Sequence, residues 1–123
     1  MIRILLGGAC ALLLTGAALA ADLPAAVHRT ADGALADAQG KPLYTFNLDT
    51  MVGMSHCFAD CAQVWPPLAA PKDAKPVGDW APIRREDGSL QWTYKTKPLY
   101  TYAKDKPGGP PTGLGTGPWT LAR

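Results

Sequence analysis

The chain contains one ten-residue segment twice, and this internal repeat limits the folds that it can adopt. GKPLYTFNLD at 40–49 and TKPLYTYAKD at 96–105 share Lys-Pro-Leu-Tyr-Thr without change. Each copy then has an aromatic residue and, three positions later, an aspartate. A match of this length within 123 residues is not expected by chance, so it predicts two structurally equivalent units.

Each copy is typical of a β-strand that runs into a loop. Proline cannot donate a hydrogen bond to a sheet, so Pro42 and Pro98 fit the first residue or the edge of a strand. The Leu-Tyr-Thr-aromatic run that follows favours a strand, in which successive side chains face opposite sides. Tyr44 and Phe46 are therefore expected on the same face.

An aspartate follows each strand, where its carboxylate can fix a turn by accepting backbone N–H groups about two residues ahead. We interpret the repeat motif as framework rather than as a ligand site. Its residues are Tyr44, Phe46, Asp49 and Trp65 in the first unit, and Tyr100, Tyr102, Asp105 and Trp119 in the second.

The segments around the repeat are also similar. An Asp-Gly pair predicts a hairpin turn in each half, at Asp32-Gly33 and at Asp87-Gly88. Each half continues with the tyrosine strand, a long loop and a strand that contains a tryptophan. The fold class predicted is all-β, with two pseudo-symmetric antiparallel repeats at 27–69 and 83–122 that share one core as a small sandwich or open barrel. A Pro-rich connector joins the repeats, and one short helical turn is expected near Phe58–Val64.

The first 20 residues have the pattern of a signal peptide, with Arg3, an apolar run and Ala18-Leu19-Ala20 as the cleavage sequence. This predicts one β domain at 21–123, periplasmic or secreted, with no transmembrane segment. Lipid attachment at Cys10 is the alternative, although most of the apolar run follows that cysteine. Cleavage removes one arginine and leaves 11 basic and 10 acidic residues, a net charge of +1 that argues against nucleic-acid binding.

Two cysteines remain after cleavage, Cys57 and Cys61, in a chain bound for an oxidising compartment. A disulfide between them is therefore expected. The loop that it closes is short, so the chain-entropy model gives a stabilisation of only about 2 kcal/mol. Positions i and i+4 of a regular helix suit a disulfide poorly, so Cys57 is expected at or before the start of the helical turn.

The sequence resembles a known pattern through three motifs, Tyr44-x-Phe46-x-x-Asp49, Cys57-x-x-x-Cys61 and Tyr100-x-Tyr102-x-x-Asp105. It is that of the bacterial secreted repeat and predicted lipoprotein family with the motif Tyr-x-(Phe/Trp/Tyr)-x-x-Asp. The resemblance covers nearly all of the mature chain, and the paired motif is specific. It implies an exported tandem-repeat protein whose biochemical role is unassigned. Many members are lipoproteins, whereas Cys10 is badly placed for lipid attachment here.

Few side chains suit catalysis. The mature chain has two histidines, His28 and His56, and a single glutamate. It lacks a Cys-x-x-Cys pair and a phosphate-binding glycine loop between a strand and a helix. We therefore expect a non-enzymatic structural or binding protein of the cell envelope, with an unidentified partner and no obligatory cofactor.

The long loop that follows Asp49, called the first loop below, carries the side chains that best suit a metal ion. Met51, Met54 and His56 offer two thioethers and one imidazole, a set that favours Cu(I). The other interpretation is that the two methionines fill the core beneath the loop. A further alternative is that Cys57 and Cys61 exchange a disulfide with a partner protein.

Overall fold

The computed structural model describes residues 23–123, so the predicted signal peptide lies outside the described residues. These residues form eight strands and one short helix, and the all-β prediction is confirmed. The strands are β1 (Val27–Arg29), β2 (Leu35–Asp37), β3 (Tyr44–Phe46), β4 (Ala69–Ala70), β5 (Trp80–Arg84), β6 (Leu90–Tyr94), β7 (Lys97–Tyr100) and β8 (Trp119–Leu121). Helix α1 (Asp60–Val64) lies within the predicted helical turn.

All strand pairs are antiparallel. β1 and β2 form a hairpin, and the larger sheet has the order β4-β6-β7-β3-β8, with β5 also paired to β6. The two predicted Asp-Gly turns connect β1 to β2 and β5 to β6. Gly33 and Gly88 adopt φ values of 87° and 88° there, in the left-handed region that favours glycine.

Two details differ from the sequence-based expectation. β5 begins at Trp80, three residues before the predicted repeat boundary at 83. Trp65 does not lie in a strand, because it follows the last residue of α1 and its N–H bonds the carbonyl of Cys61. The strand of that segment is only Ala69–Ala70, because two prolines directly after Trp65 cannot donate to a sheet.

The two motif strands, β3 and β7, pair with each other in the middle of the sheet. Tyr44 lies directly opposite Tyr100. β3 also pairs with β8 through Tyr44 and Leu121, and β7 forms the corresponding bridge between Tyr100 and Pro67. Each motif strand thus contacts both the motif strand and the tryptophan segment of the other repeat.

The two faces of these central strands contribute to different clusters of buried apolar side chains. Leu43 and Leu99 belong to the first cluster, whereas their neighbours Tyr44 and Tyr100 belong to the second. This follows from the alternation of side chains along a strand. Residues of both repeats contribute to each cluster, so the repeats share their interior. The second cluster comprises Tyr44, Cys57, Trp65, Tyr100, Tyr102 and Trp119.

Candidate functional site

The tyrosine of each repeat motif binds the aspartate of the other repeat. The Tyr44 hydroxyl donates to Asp105 Oδ2 at 2.6 Å, and the Tyr100 hydroxyl donates to Asp49 Oδ2, also at 2.6 Å. All four residues are buried. Tyr-x-aromatic-x-x-Asp is therefore a reciprocal connection between the repeats, and neither repeat completes it alone.

The other oxygen of each carboxylate organises the long loop that follows it. Asp49 Oδ1 accepts the backbone N–H of His56 at 2.6 Å, and Asp105 Oδ1 accepts that of Thr112 at 2.8 Å. Each contact spans seven residues, so the prediction of a turn fixed about two residues ahead is wrong. The sequence pattern located the carboxylates, but it held no signal for the length of the loop that they close.

Burial raises the pKa of both motif tyrosines. Desolvation is the larger cause and the hydrogen bond to the neighbouring aspartate the second, because both penalise the negatively charged phenolate. The pKa of Tyr100 rises to about 12, and that of Tyr44 rises further. Both hydroxyls therefore remain protonated donors at physiological pH.

Four aromatic rings form a continuous stack across the interface between the repeats. Trp65 and Trp119 lie at its centre, with ring centroids 3.8 Å apart and planes 9° from parallel. Phe46 stacks on Trp119 at 4.5 Å, and Tyr102 stacks on Trp65 at 4.4 Å. Each outer ring thus lies on the tryptophan of the other repeat. These contacts explain why the motif includes a second aromatic residue.

A buried arginine attaches the first loop to the hairpin formed by β5 and β6. One Arg85 Nη1–H bonds the Ser55 hydroxyl at 2.9 Å and another bonds Gln91 Oε1 at 2.7 Å, while Nη2–H bonds the carbonyl of Cys57 at 2.6 Å. Among the described residues Arg85 forms no ion pair. Ser55 in turn lies 2.7 Å from the Tyr100 hydroxyl, so the arginine joins the network of Asp49. Sequence reasoning missed Arg85, because an arginine beside a hairpin turn is usually exposed.

The structure exposes the two methionines of the predicted metal site. Met51 is 55% and Met54 is 46% exposed, so the interpretation of these residues as core fillers is wrong. The N–H of Met54 bonds the carbonyl of Met51 at 3.3 Å, and Gly53 between them has a φ of 82°. The backbone therefore turns back at this point, as convergence of the two thioethers would require.

His56 is the third predicted ligand, and its backbone is fixed by Asp49. Its Nδ1 lies 3.6 Å from Asp49 Oδ1, and its side chain is partly exposed. Residues 23–123 contain no cluster of three His, Cys, Asp or Glu side chains that could hold a metal ion. A metal site here would therefore depend on the methionine sulfurs.

Cys57 and Cys61 form a disulfide, with a Cα–Cα distance of 5.2 Å. Cys57 precedes α1, as expected, and is fully buried beside the aromatic stack. Disulfide exchange needs access of an attacking thiolate to a sulfur. The burial of Cys57 closes that sulfur to attack, whereas Cys61 is only partly buried.

The fold and the reciprocal motif define a class of small all-β protein in which two sequence repeats complete each other. The chain belongs to the family described as a secreted repeat of unknown function, which matches residues 26–69 and 81–122. These matches lie close to the two predicted units and support assignment as a secreted protein. No curated protein and no solved structure matches the chain. Within residues 23–123 there is no helix with the length and apolar character that a membrane crossing requires.

Proposed function

We propose that the protein is a non-enzymatic binding module of the cell envelope, and that its first loop contacts the partner. The observation that carries this proposal is the concentration of exposed apolar side chains between residues 48 and 64. That segment contributes Leu48, Met51, Val52, Met54, Phe58 and Val64, which are 44% to 77% exposed. Several large exposed apolar side chains within one short segment favour an apolar patch, and contiguous patches mark surfaces that bind another protein.

The polar groups of the loop support a binding role rather than catalysis. The Ser55 hydroxyl interacts with Arg85, Tyr100 and the backbone of Cys57, and none of these contacts involves the ring of His56. A serine nucleophile needs a neighbouring base that accepts its proton.

The hydrogen bonds of Ser55 to Arg85 and Tyr100 attach the first loop to the core, while the apolar side chains of the loop are exposed. A partner with an apolar surface would bury them.

Photocrosslinking in the native cell tests this proposal. A photoreactive amino acid at Val52, the most exposed of these residues, should yield one discrete adduct with another exported protein. The matched control carries the same group at Leu114, which is 50% exposed in the second loop. Absence of an adduct at Val52, or the same adduct from both positions, would contradict a partner surface on the first loop.

Compartment and processing belong to the same proposal, because an envelope protein must be exported and matured. We expect a periplasmic form that begins at Ala21 and carries the Cys57–Cys61 disulfide without lipid. The intact mass of protein from the periplasmic fraction reports all three properties together. A mass that includes diacylglycerol on Cys10 would contradict the unanchored form.

Cu(I) binding is the second candidate function, and the exposure of Met51 and Met54 favours it. We expect the oxidised protein to bind Cu(I) in preference to Zn(II), because thioethers are soft ligands. Replacing both methionines by leucine should abolish binding and leave the melting temperature nearly unchanged, because the side chains are exposed and similar in volume. Equal Cu(I) affinity in the double variant, or no binding by the parent protein, would exclude this function.

A further inference from the structure

Both methionines that the structure describes lie in the first loop, and both are exposed. Methionine is usually buried, because its apolar and flexible side chain fills irregular gaps in a core. Here Met51 is 55% and Met54 is 46% exposed, and no methionine belongs to either buried cluster of the described residues. Met1, the third methionine of the sequence, lies outside those residues. The two side chains are therefore accessible from solvent.

A turn of the backbone keeps the two methionines within one short exposed segment. The N–H of Met54 bonds the carbonyl of Met51 at 3.3 Å, and Gly53 adopts a φ of 82°. Val52, which lies between them, is 77% exposed. A change in the polarity of either thioether would therefore act on the surface of the first loop rather than on the core.

The other side chains that oxidants attack readily are protected in the part of the chain that the structure describes. Cys57 and Cys61 are joined in a disulfide, so residues 23–123 contain no free thiol. The four tryptophans are buried, with at most 7% of each exposed: Trp65, Trp80, Trp92 and Trp119. Because oxidation of a side chain depends on its accessibility, the two methionines are the preferred targets.

We propose that Met51 and Met54 are a modification site at which a hypohalous acid oxidises both thioethers to sulfoxides. With hypochlorous acid, each sulfur loses two electrons and gains the oxygen atom of the acid. The chlorine takes up the two electrons and leaves as chloride, and the proton of the acid is released. The secreted family to which the chain belongs supports this class of reagent, since an exported protein meets external oxidants directly.

Oxidation would make the exposed apolar segment polar and leave the core intact. A thioether is apolar whereas a sulfoxide is polar, and this change disrupts interfaces rich in methionine. The change is reversible, because methionine sulfoxide reductases restore the thioether. Its effect on a partner rests on the proposed function of the first loop, since the oxidised loop would present a less apolar surface.

Treatment of the folded protein with limiting hypochlorous acid, followed by peptide mass spectrometry, tests the modification site. N-acetyl-methioninamide at the same concentration of thioether is the competitor. We expect one oxygen atom on Met51 and one on Met54, gained about as fast as by the competitor, and no uptake by Met51→Leu/Met54→Leu. The proposal is wrong if the competitor alone is oxidised, or if the double variant gains as much oxygen as the parent.

A variant whose methionine lies in the interior separates exposure from side-chain chemistry. Leu99 is fully buried, and replacing leucine by methionine nearly conserves volume. Leu99→Met in the Met51→Leu/Met54→Leu background should resist oxidation until urea unfolds it. Equal oxidation of this variant and the parent, both folded, would overturn the selection by exposure. Should the variant fail to fold, a large acceleration of parent oxidation by urea would overturn it equally.

Hydrophobic interaction chromatography measures the change of surface without a partner. The oxidised parent should elute earlier than the unmodified protein and keep nearly the same melting temperature, because the modified side chains are exposed. Unchanged elution would contradict the proposed change in surface polarity. A loss of several degrees in melting temperature would show instead that the thioethers support the fold, which also contradicts the proposal.

Crosslinking at Val52 tests the consequence for a partner. Met51→Gln/Met54→Gln places polar side chains of similar length at both positions and avoids oxidation of other proteins in the cell. With the photoreactive group at Val52, this variant should lose the adduct that the parent forms. An undiminished adduct would contradict the effect of oxidation on binding. Absence of an adduct from the parent would contradict the proposed function, while mass spectrometry still decides the modification site.

Discussion

At the scale of single residues, the repeat motif is explained by what each side chain contacts. The tyrosine hydroxyl and the aspartate of opposite repeats satisfy each other in the interior. A buried carboxylate is costly unless several donors bind it. Asp105 meets this requirement through Tyr44 and through the N–H and hydroxyl of Thr112. The polar groups of the motif therefore depend on one another, and their positions determine which hydrogen bonds form.

The second aromatic position of the motif should not contribute equally in the two repeats. Tyr102 is buried, whereas Phe46 is only partly buried at the other end of the stack. Tyr102→Ala should lower the free energy of unfolding by about 3–5 kcal/mol, as truncation of large buried aromatic side chains does. Phe46→Ala should cost distinctly less in the same urea denaturation experiment. A larger loss from Phe46→Ala would show that the stack is ordered differently.

Alkaline pH should weaken the fold through the two motif tyrosines. Their pKa is raised in the folded protein, so their contribution is fully present below the unfolded value of 10. It is lost as the pH rises towards 12, the folded pKa of Tyr100, because the unfolded chain releases protons first. Urea midpoints measured from pH 9 to 12 should therefore fall more steeply for the parent than for Tyr44→Phe/Tyr100→Phe. Parallel curves would contradict this assignment.

At the scale of elements, the two long loops share two anchors, an aspartate and the tyrosine hydroxyl of the other repeat, and differ in their further supports. The aspartate that begins each loop binds the residue seven positions on. The first loop has in addition the disulfide and the contacts of Arg85. It can therefore hold several apolar side chains away from the core without collapsing onto it. These supports are consistent with the first loop as the candidate partner surface, which its exposed apolar side chains indicate.

Reduction of the disulfide measures how far the first loop depends on that covalent bond. The chain-entropy model predicts that reduction lowers the free energy of unfolding by about 2 kcal/mol. Cys57→Ala/Cys61→Ala should show a similar loss and no further response to reductant. A loss below about 0.5 kcal/mol would mean that the contacts of Asp49 and Arg85 hold the loop by themselves.

At the scale of the whole molecule, the sequence predicted the strands and turns but not the contacts between the two repeats. The repeated segment and the Asp-Gly pairs identified the strands and hairpins, because turn chemistry and alternation are local properties. The partner of each tyrosine was not predictable, since Asp49 and Asp105 are chemically equivalent and only the pairing of β3 with β7 distinguishes them. The burial of Arg85 likewise depends on a loop from the other repeat.

The central claim is that the motif acts between repeats, and double-mutant cycles test it directly. Tyr44→Phe and Asp105→Asn should couple by about 1 kcal/mol or more in the free energy of unfolding, because their hydrogen bond is buried and involves a charge. Tyr44→Phe and Asp49→Asn, which lie within one repeat, should be nearly additive. Strong coupling is therefore predicted only for the pair from different repeats. Stronger coupling within the repeat than between the repeats would contradict the claim.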